Sequence, residues 1–137
     1  MPLSLSVKIL ATFGSLISIG FGIWHFFVPK IWNWYAYIAR TATELVLAVR
    51  AINVFFSLSL VLFGVANLLL VFRTTPDKFP VLVMLSVSAV LWASRVLLQL
   101  IYPQGSQSAV LQYGMLTVFI LVFISFAWSA YLVWSEK

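Results

Sequence analysis

Cysteine is absent from this chain of 137 residues, which removes disulfides, thiol nucleophiles, thiolate metal sites and Cys-ligated iron–sulfur clusters from consideration. Acids are nearly as scarce, with three Asp and Glu in all, and there is a single His. One His and one Glu near a helix entrance supply no catalytic triad, no paired carboxylates and no two-His metal site, so no chain-autonomous enzyme is expected. Charge of any sign makes up 8% of the residues against 64% hydrophobic, and the mean hydropathy is +1.11. That leaves far too little polar surface to cover a water-soluble domain. Internal repeats, low-complexity tracts and a charged tail are also missing, so residues 1–137 read as one membrane-embedded unit.

Four unbroken apolar runs, at 9–28, 48–72, 79–101 and 109–134, are each 20 to 26 residues long, against roughly 20 for a membrane-crossing helix. None alternates with the period of two that a β-barrel strand requires. The expected fold is therefore all-α: four transmembrane helices in an antiparallel up-down bundle, joined by short connections at 73–78 and 102–107 that carry Pro or Gly. Lys8 and the apolar run after it resemble a signal sequence, but no small-x-small cleavage site follows before Trp24 and His25, so the run stays as the first helix. Only the connection 29–47 has room for more. Its Trp32, Trp34, Tyr35 and Tyr37 belong to the residue types that settle at headgroup level, which predicts a short interfacial segment, either an aromatic belt or a lid over a pocket.

Helical periodicity assigns inward faces. Gly14, Ser18 and Gly22 recur every four residues on the first helix and permit close approach of another backbone, within the chain or between chains. His25 lies on the same face. On the second helix Arg50, Asn53, Ser57, Gly64 and Asn67 fall within an arc of roughly 100°, and on the third Ser88, Trp92, Arg95, Gln99 and Tyr102 within roughly 80°. The fourth offers Ser125 and Ser129 for packing and a row of Tyr113, Thr117, Trp128 and Tyr131. Alternating helix directions then bring His25, Glu44, Arg50, Asn53, Arg95, Gln99, Gln112 and Tyr113 to one membrane face.

Arginine stays charged and is costly inside a bilayer, so Arg95 needs a partner, water or a headgroup. One reading is structural: Arg50 and Arg95 reach for phosphates, Glu44 neutralises one of them, and the amides bond between helices. The functional reading is a half-buried ligand-binding site at His25, Glu44, Arg50, Asn53, Arg95 and Gln99 for an anionic or carbonyl-bearing amphiphile, such as a lipid or a quinone. A lone His25 is also a conceivable axial ligand for haem or chlorophyll, although such a residue is far more often simply hydrogen-bonded. A transporter or channel component would need a water path along Asn67, Ser57, Asn53 and Arg50.

The segment Gly22-Ile23-Trp24-His25-Phe26-Phe27-Val28-Pro29, read as G-x-x-H-F-x-x-P at the end of the first of four helices, resembles the DoxX-like membrane proteins. The resemblance covers about a tenth of the chain. In that family a Gly-rich entry to the second helix carrying a glutamate is expected, whereas here Glu44 has no nearby glycine and is followed by Arg50 and Asn53. The resemblance implies a small subunit associated with membrane redox or quinone chemistry, with His25 and Glu44 as the matching polar positions.

The expectation is an accessory or structural subunit of a membrane complex whose polar end binds a lipid or quinone headgroup, with membrane lipids and other membrane subunits, or further copies of itself, as partners. Its net charge of +5 is spread over helix ends and loops, which suits anionic headgroups and not nucleic acid. Lys8, Arg73, Lys78 and Lys137 at the end with both termini nearly balance Lys30, Arg40, Arg50 and Arg95 at the other. The close flanking of helices by Lys8 and the 73–78 loop favours cytoplasmic termini.

Overall fold

The structure, a computed structural model, describes residues 3–136, so Lys137 lies outside the described residues. Four helices form: α1 (Leu5–Ile31), α2 (Thr43–Val71), α3 (Lys78–Ile101) and α4 (Ala109–Ser135), with one 3₁₀ turn at Trp34–Tyr37 and no strand among the described residues. Side-chain caps start three of them. Ser4 accepts from the Val7 amide, Asp77 from Phe79 and Ser108 from Leu111, each satisfying an amide that the helix itself leaves unpaired. At the end with both termini the Lys78 ammonium donates to the Glu136 carbonyl and ties the start of α3 to the end of α4.

All four helices are longer than their apolar runs, α1 and α2 by several residues, because the run marks only the stretch in hydrocarbon, while the helix continues through the interface. Accordingly α2 begins at Thr43 and Glu44 sits in its first turn instead of preceding it. Pro29 likewise does not end α1. A proline removes only the amide that would bond the carbonyl four residues earlier, here that of His25, and another donor replaces it. The long connection shrinks to residues 32–42, entered through Asn33 at φ 50°, a left-handed conformation that Asn tolerates.

Packing follows the small residues. A Cβ on Gly22 would lie 2.7 Å from the Ser57 carbonyl oxygen, and one on Gly64 would lie 2.8 Å from that of Ser15, so only glycine lets α1 and α2 meet backbone to backbone. Gly14 instead seats the Phe126 ring of α4, 2.9 Å from where its Cβ would be. The Gly14, Ser18 and Gly22 face is thus used inside the chain. Extensive seams join α1 to α2 and α3 to α4, a narrower one joins α1 to α4, and α2 and α3 touch sparsely.

The core between these seams contains Val7, Leu85, Trp92, Phe119 and Phe126. Trp92 Nε1 donates to Ser18 Oγ at 2.9 Å, which donates in turn to the Gly14 carbonyl, and Asn67 Nδ2 donates to Ser88 Oγ at 2.7 Å. No more than 39% of the most apolar stretch of any helix is buried in the bundle. The remaining Leu, Phe, Val and Ile side chains point outward, where lipid solvates them. The chain is a small multi-pass integral membrane protein.

Candidate functional site

His25 organises the end of the bundle away from the termini. Because Pro29 offers no amide to the His25 carbonyl, Asn53 Nδ2 donates to that oxygen at 3.2 Å, while Asn53 Oδ1 lies 2.8 Å from His25 Nδ1. The carbonyl can only accept, so the amide nitrogen must face it and Oδ1 must face the ring. Nδ1 therefore carries the hydrogen of the second bond. In the neutral imidazole the free lone pair is then on Nε2. The ring is held edge-on to Trp24, Trp34 and Phe56 and tilted against Phe21, at centroid distances of 4.7 to 6.3 Å.

Arg95 stands beside it. Its guanidinium lies 4.5 Å over the Phe119 ring and Nη2 donates to Gln104 Oε1 at 2.6 Å, leaving most of its five N–H donors uncommitted. From the observed helix ends, His25 and Arg95 are each about 9 Å deep at 1.5 Å per residue, so they occupy one level of the membrane.

Two hollows share His25, Trp34, Arg95 and Gln104. One of about 260 Å³ extends over Trp24 and Met115, and the other, of about 340 Å³, extends between α2 and α3 over Phe56 and Leu98. The second continues past Ile52 and Phe56 into a groove of about 560 Å³ that includes Ala51, Ser59 and Leu91. This groove follows the sparse α2–α3 seam, so an apolar tail has a lateral route from the lipid to the polar pair.

The sequence-derived candidates divide here. His25, Asn53 and Arg95 come together. Gln99 is buried, but its amide grips the loop, donating to the Gln104 carbonyl at 2.9 Å and accepting from its amide at 3.4 Å, so it fastens the loop and does not line either hollow. Arg50 is exposed on the far side of Asn53, stacked 5.1 Å over Tyr35. Glu44 is exposed in the first turn of α2, where an acid suits the positive helix end, and it lines neither hollow. An arc of 100° proved too broad: Arg50, at its edge, points past the α1 contact that Asn53 faces.

Of the aromatic segment, Trp34 is a wall of both hollows and Trp32 of the smaller, Tyr35 underlies Arg50, and Tyr37 is 85% exposed. Sequence reasoning missed Gln104, hidden between Pro103 and Gly105 in what reads as a plain turn. Its only signal is proximity to Gln99 and Arg95 at the same helix end. Asn53, Ser57 and Asn67 are packed and at most 7% exposed. No group of three or more His, Asp or Glu side chains able to hold a metal ion occurs among the described residues. No protein-family model, curated protein or solved structure matches this chain.

Proposed function

We propose that this membrane protein binds the polar head of an amphiphile, a lipid or a quinone, between His25 and Arg95, and serves as an accessory subunit of a larger membrane assembly. The observation that carries this is the Asn53 clamp. It fixes His25 so that Nε2 presents an acceptor to the hollow that Arg95 supplies with donors. A head with a hydroxyl for Nε2 and a carbonyl or phosphate oxygen for Arg95 meets both.

The volumes suit a head or a single ring and not a whole amphiphile, being at or just below the low end of the roughly 300 to 1,000 Å³ of small-molecule sites. The tail then lies in the α2–α3 groove. A DoxX-like association with quinone chemistry is the narrower form of this reading: the aromatic walls around His25 suit a flat ring, while Glu44 stands apart. With connections this short, a protein partner docks in the membrane plane or against the aromatic segment. Both termini are assigned to the cytoplasmic side, and single cysteines at Thr75 and Gln107, introduced into a chain that has none of its own, report this by labelling with a membrane-impermeant maleimide.

Native mass spectrometry of protein released gently from its source membranes tests the binding. One defined small molecule should accompany wild type and be lost from Arg95→Leu. Retention of that molecule by folded Arg95→Leu protein would overturn the proposal. Co-released membrane subunits support the accessory role, and a lone chain in every preparation would contradict it.

A further inference from the structure

Separating Arg50 from Arg95 leaves a second arrangement of charge. A groove of about 430 Å³ runs between the end of α1 and the second turn of α2, and its walls include Lys30, Asn33, Tyr35 and Arg50. We propose that this groove binds the phosphate of an anionic phospholipid, at a site distinct from the His25–Arg95 hollow.

The Arg50 guanidinium is the first support. Its Cζ lies 5.1 Å from the centre of the Tyr35 ring, so the ring takes up one side of the group, and its planar fork of N–H donors suits two oxygens of one phosphate. Tyr35 is itself held in place by the 3₁₀ turn that follows left-handed Asn33, closed by the Ala36 amide donating to the Asn33 carbonyl at 3.1 Å. Lys30, in the last turn of α1, adds a second positive charge on the opposite wall.

Charge balance is the second. No acid lines the groove. Asp77 and Glu136 are at the other end of the bundle, and Glu44, six residues before Arg50, projects about 120° away around α2. Lys30, Arg40, Arg50 and Arg95 therefore face a single carboxylate at this end.

The third support distinguishes a lipid from free phosphate. The groove is floored by Phe26, Pro29 and Val54, and Phe26 and Val54 continue onto the lipid-facing surface at 37% and 52% exposure. Acyl chains gain contact there and inorganic phosphate gains none. Asn53 forms the partition: it lines the groove and the second hollow alike, and its amide is committed to His25.

The test uses the full chain in phosphatidylcholine-containing micelles with phosphatidylglycerol added, reading retained lipid by native mass spectrometry. Wild type should keep phosphatidylglycerol in preference to phosphatidylcholine. Each of Lys30→Gln and Arg50→Gln should lower retention about fivefold, and both together about thirtyfold, from about 1 kcal/mol per surface cation. Arg40→Gln should leave it unchanged, which separates this groove from a general effect of positive charge at this end of the bundle.

Both groove cations are exposed, so the variants should fold. Arg50→Lys, which keeps the charge and loses the planar fork, should give an intermediate loss. Absence of a preference for phosphatidylglycerol, or equal losses in Arg40→Gln, would overturn the site. Displacement by inorganic phosphate but not by chloride of equal ionic strength would assign it to free phosphate and overturn the lipid.

Discussion

The two ends of this bundle treat polar groups differently. Towards the termini the bonds tie neighbours together: Asn67 bonds Ser88 and the backbone, Ser125 and Ser129 bond their own helix, and Lys78 reaches the end of α4, while the buried Thr12 and Ser15 hydroxyls are left without a partner. At the other end two of the bonds leave a function exposed. Asn53 holds one side of His25 and frees Nε2, and Gln104 takes one donor of Arg95 and leaves the rest. Lipid supplies no hydrophobic drive between helices, so polar bonds and close packing serve cohesion at the first end and orient side chains at the second.

The largest effect should come from spoiling the cohesive end. Gly64→Val drives a side chain into the Ser15 carbonyl and Ile19 and should cost about 3 kcal/mol of stability, read by thermal unfolding in detergent, while the protein that remains folded still binds its amphiphile. Next is Asn53→Leu, which leaves the His25 carbonyl without a donor and should cost about 2 kcal/mol together with ligand retention. Adding Pro29→Ala restores a main-chain donor to that carbonyl. The double variant should recover much of the stability and none of the binding, and recovery of both would show that Asn53 does not set the ring.

His25→Phe, which leaves Asn53 Oδ1 without a donor, should cost about 1 kcal/mol and Arg95→Leu less, but both should lower ligand retention about tenfold or more, the loss of a bond to a charged or fixed polar group. Asn67→Leu should have the smallest effect, within about 1 kcal/mol and without change in binding. Interhelical bonds in bilayers average about 0.6 kcal/mol, and Asn67 Oδ1 already lacks a partner. A large loss there would erase the distinction between the ends.

The four spans and their alternation were legible because bilayer thickness leaves few alternatives to long apolar helices. Inward positions such as Gly22, Asn53, Ser88 and Trp92 were legible from periodicity. What periodicity does not carry is the rotation of one helix against another, which is why Arg50 was grouped with Arg95 although Asn53 and Tyr35 separate them. Gln104 was invisible for a related reason: its role depends on where a loop folds back, and no pattern within the loop records that. The pairing of His25 with Pro29 was written in the sequence all along, as a carbonyl deprived of its helical donor four residues before a proline, and only its partner on α2 needed the structure.

The proposed fixing of His25 by Asn53, with Nε2 facing a headgroup, is directly measurable because the chain has a single histidine. Nitrogen-15 NMR of histidine-labelled protein in phosphatidylcholine bilayers, before and after adding lipid extract from the source membranes, reads both ring nitrogens, with Nε2 told from Nδ1 by its correlations to both ring Hδ2 and Hε1. Hydrogen is expected on Nδ1, with an Nε2 resonance that shifts on adding the extract in wild type but not in Arg95→Leu. Hydrogen on Nε2 with Nδ1 bare, or an Nε2 signal indifferent to the extract, would contradict it.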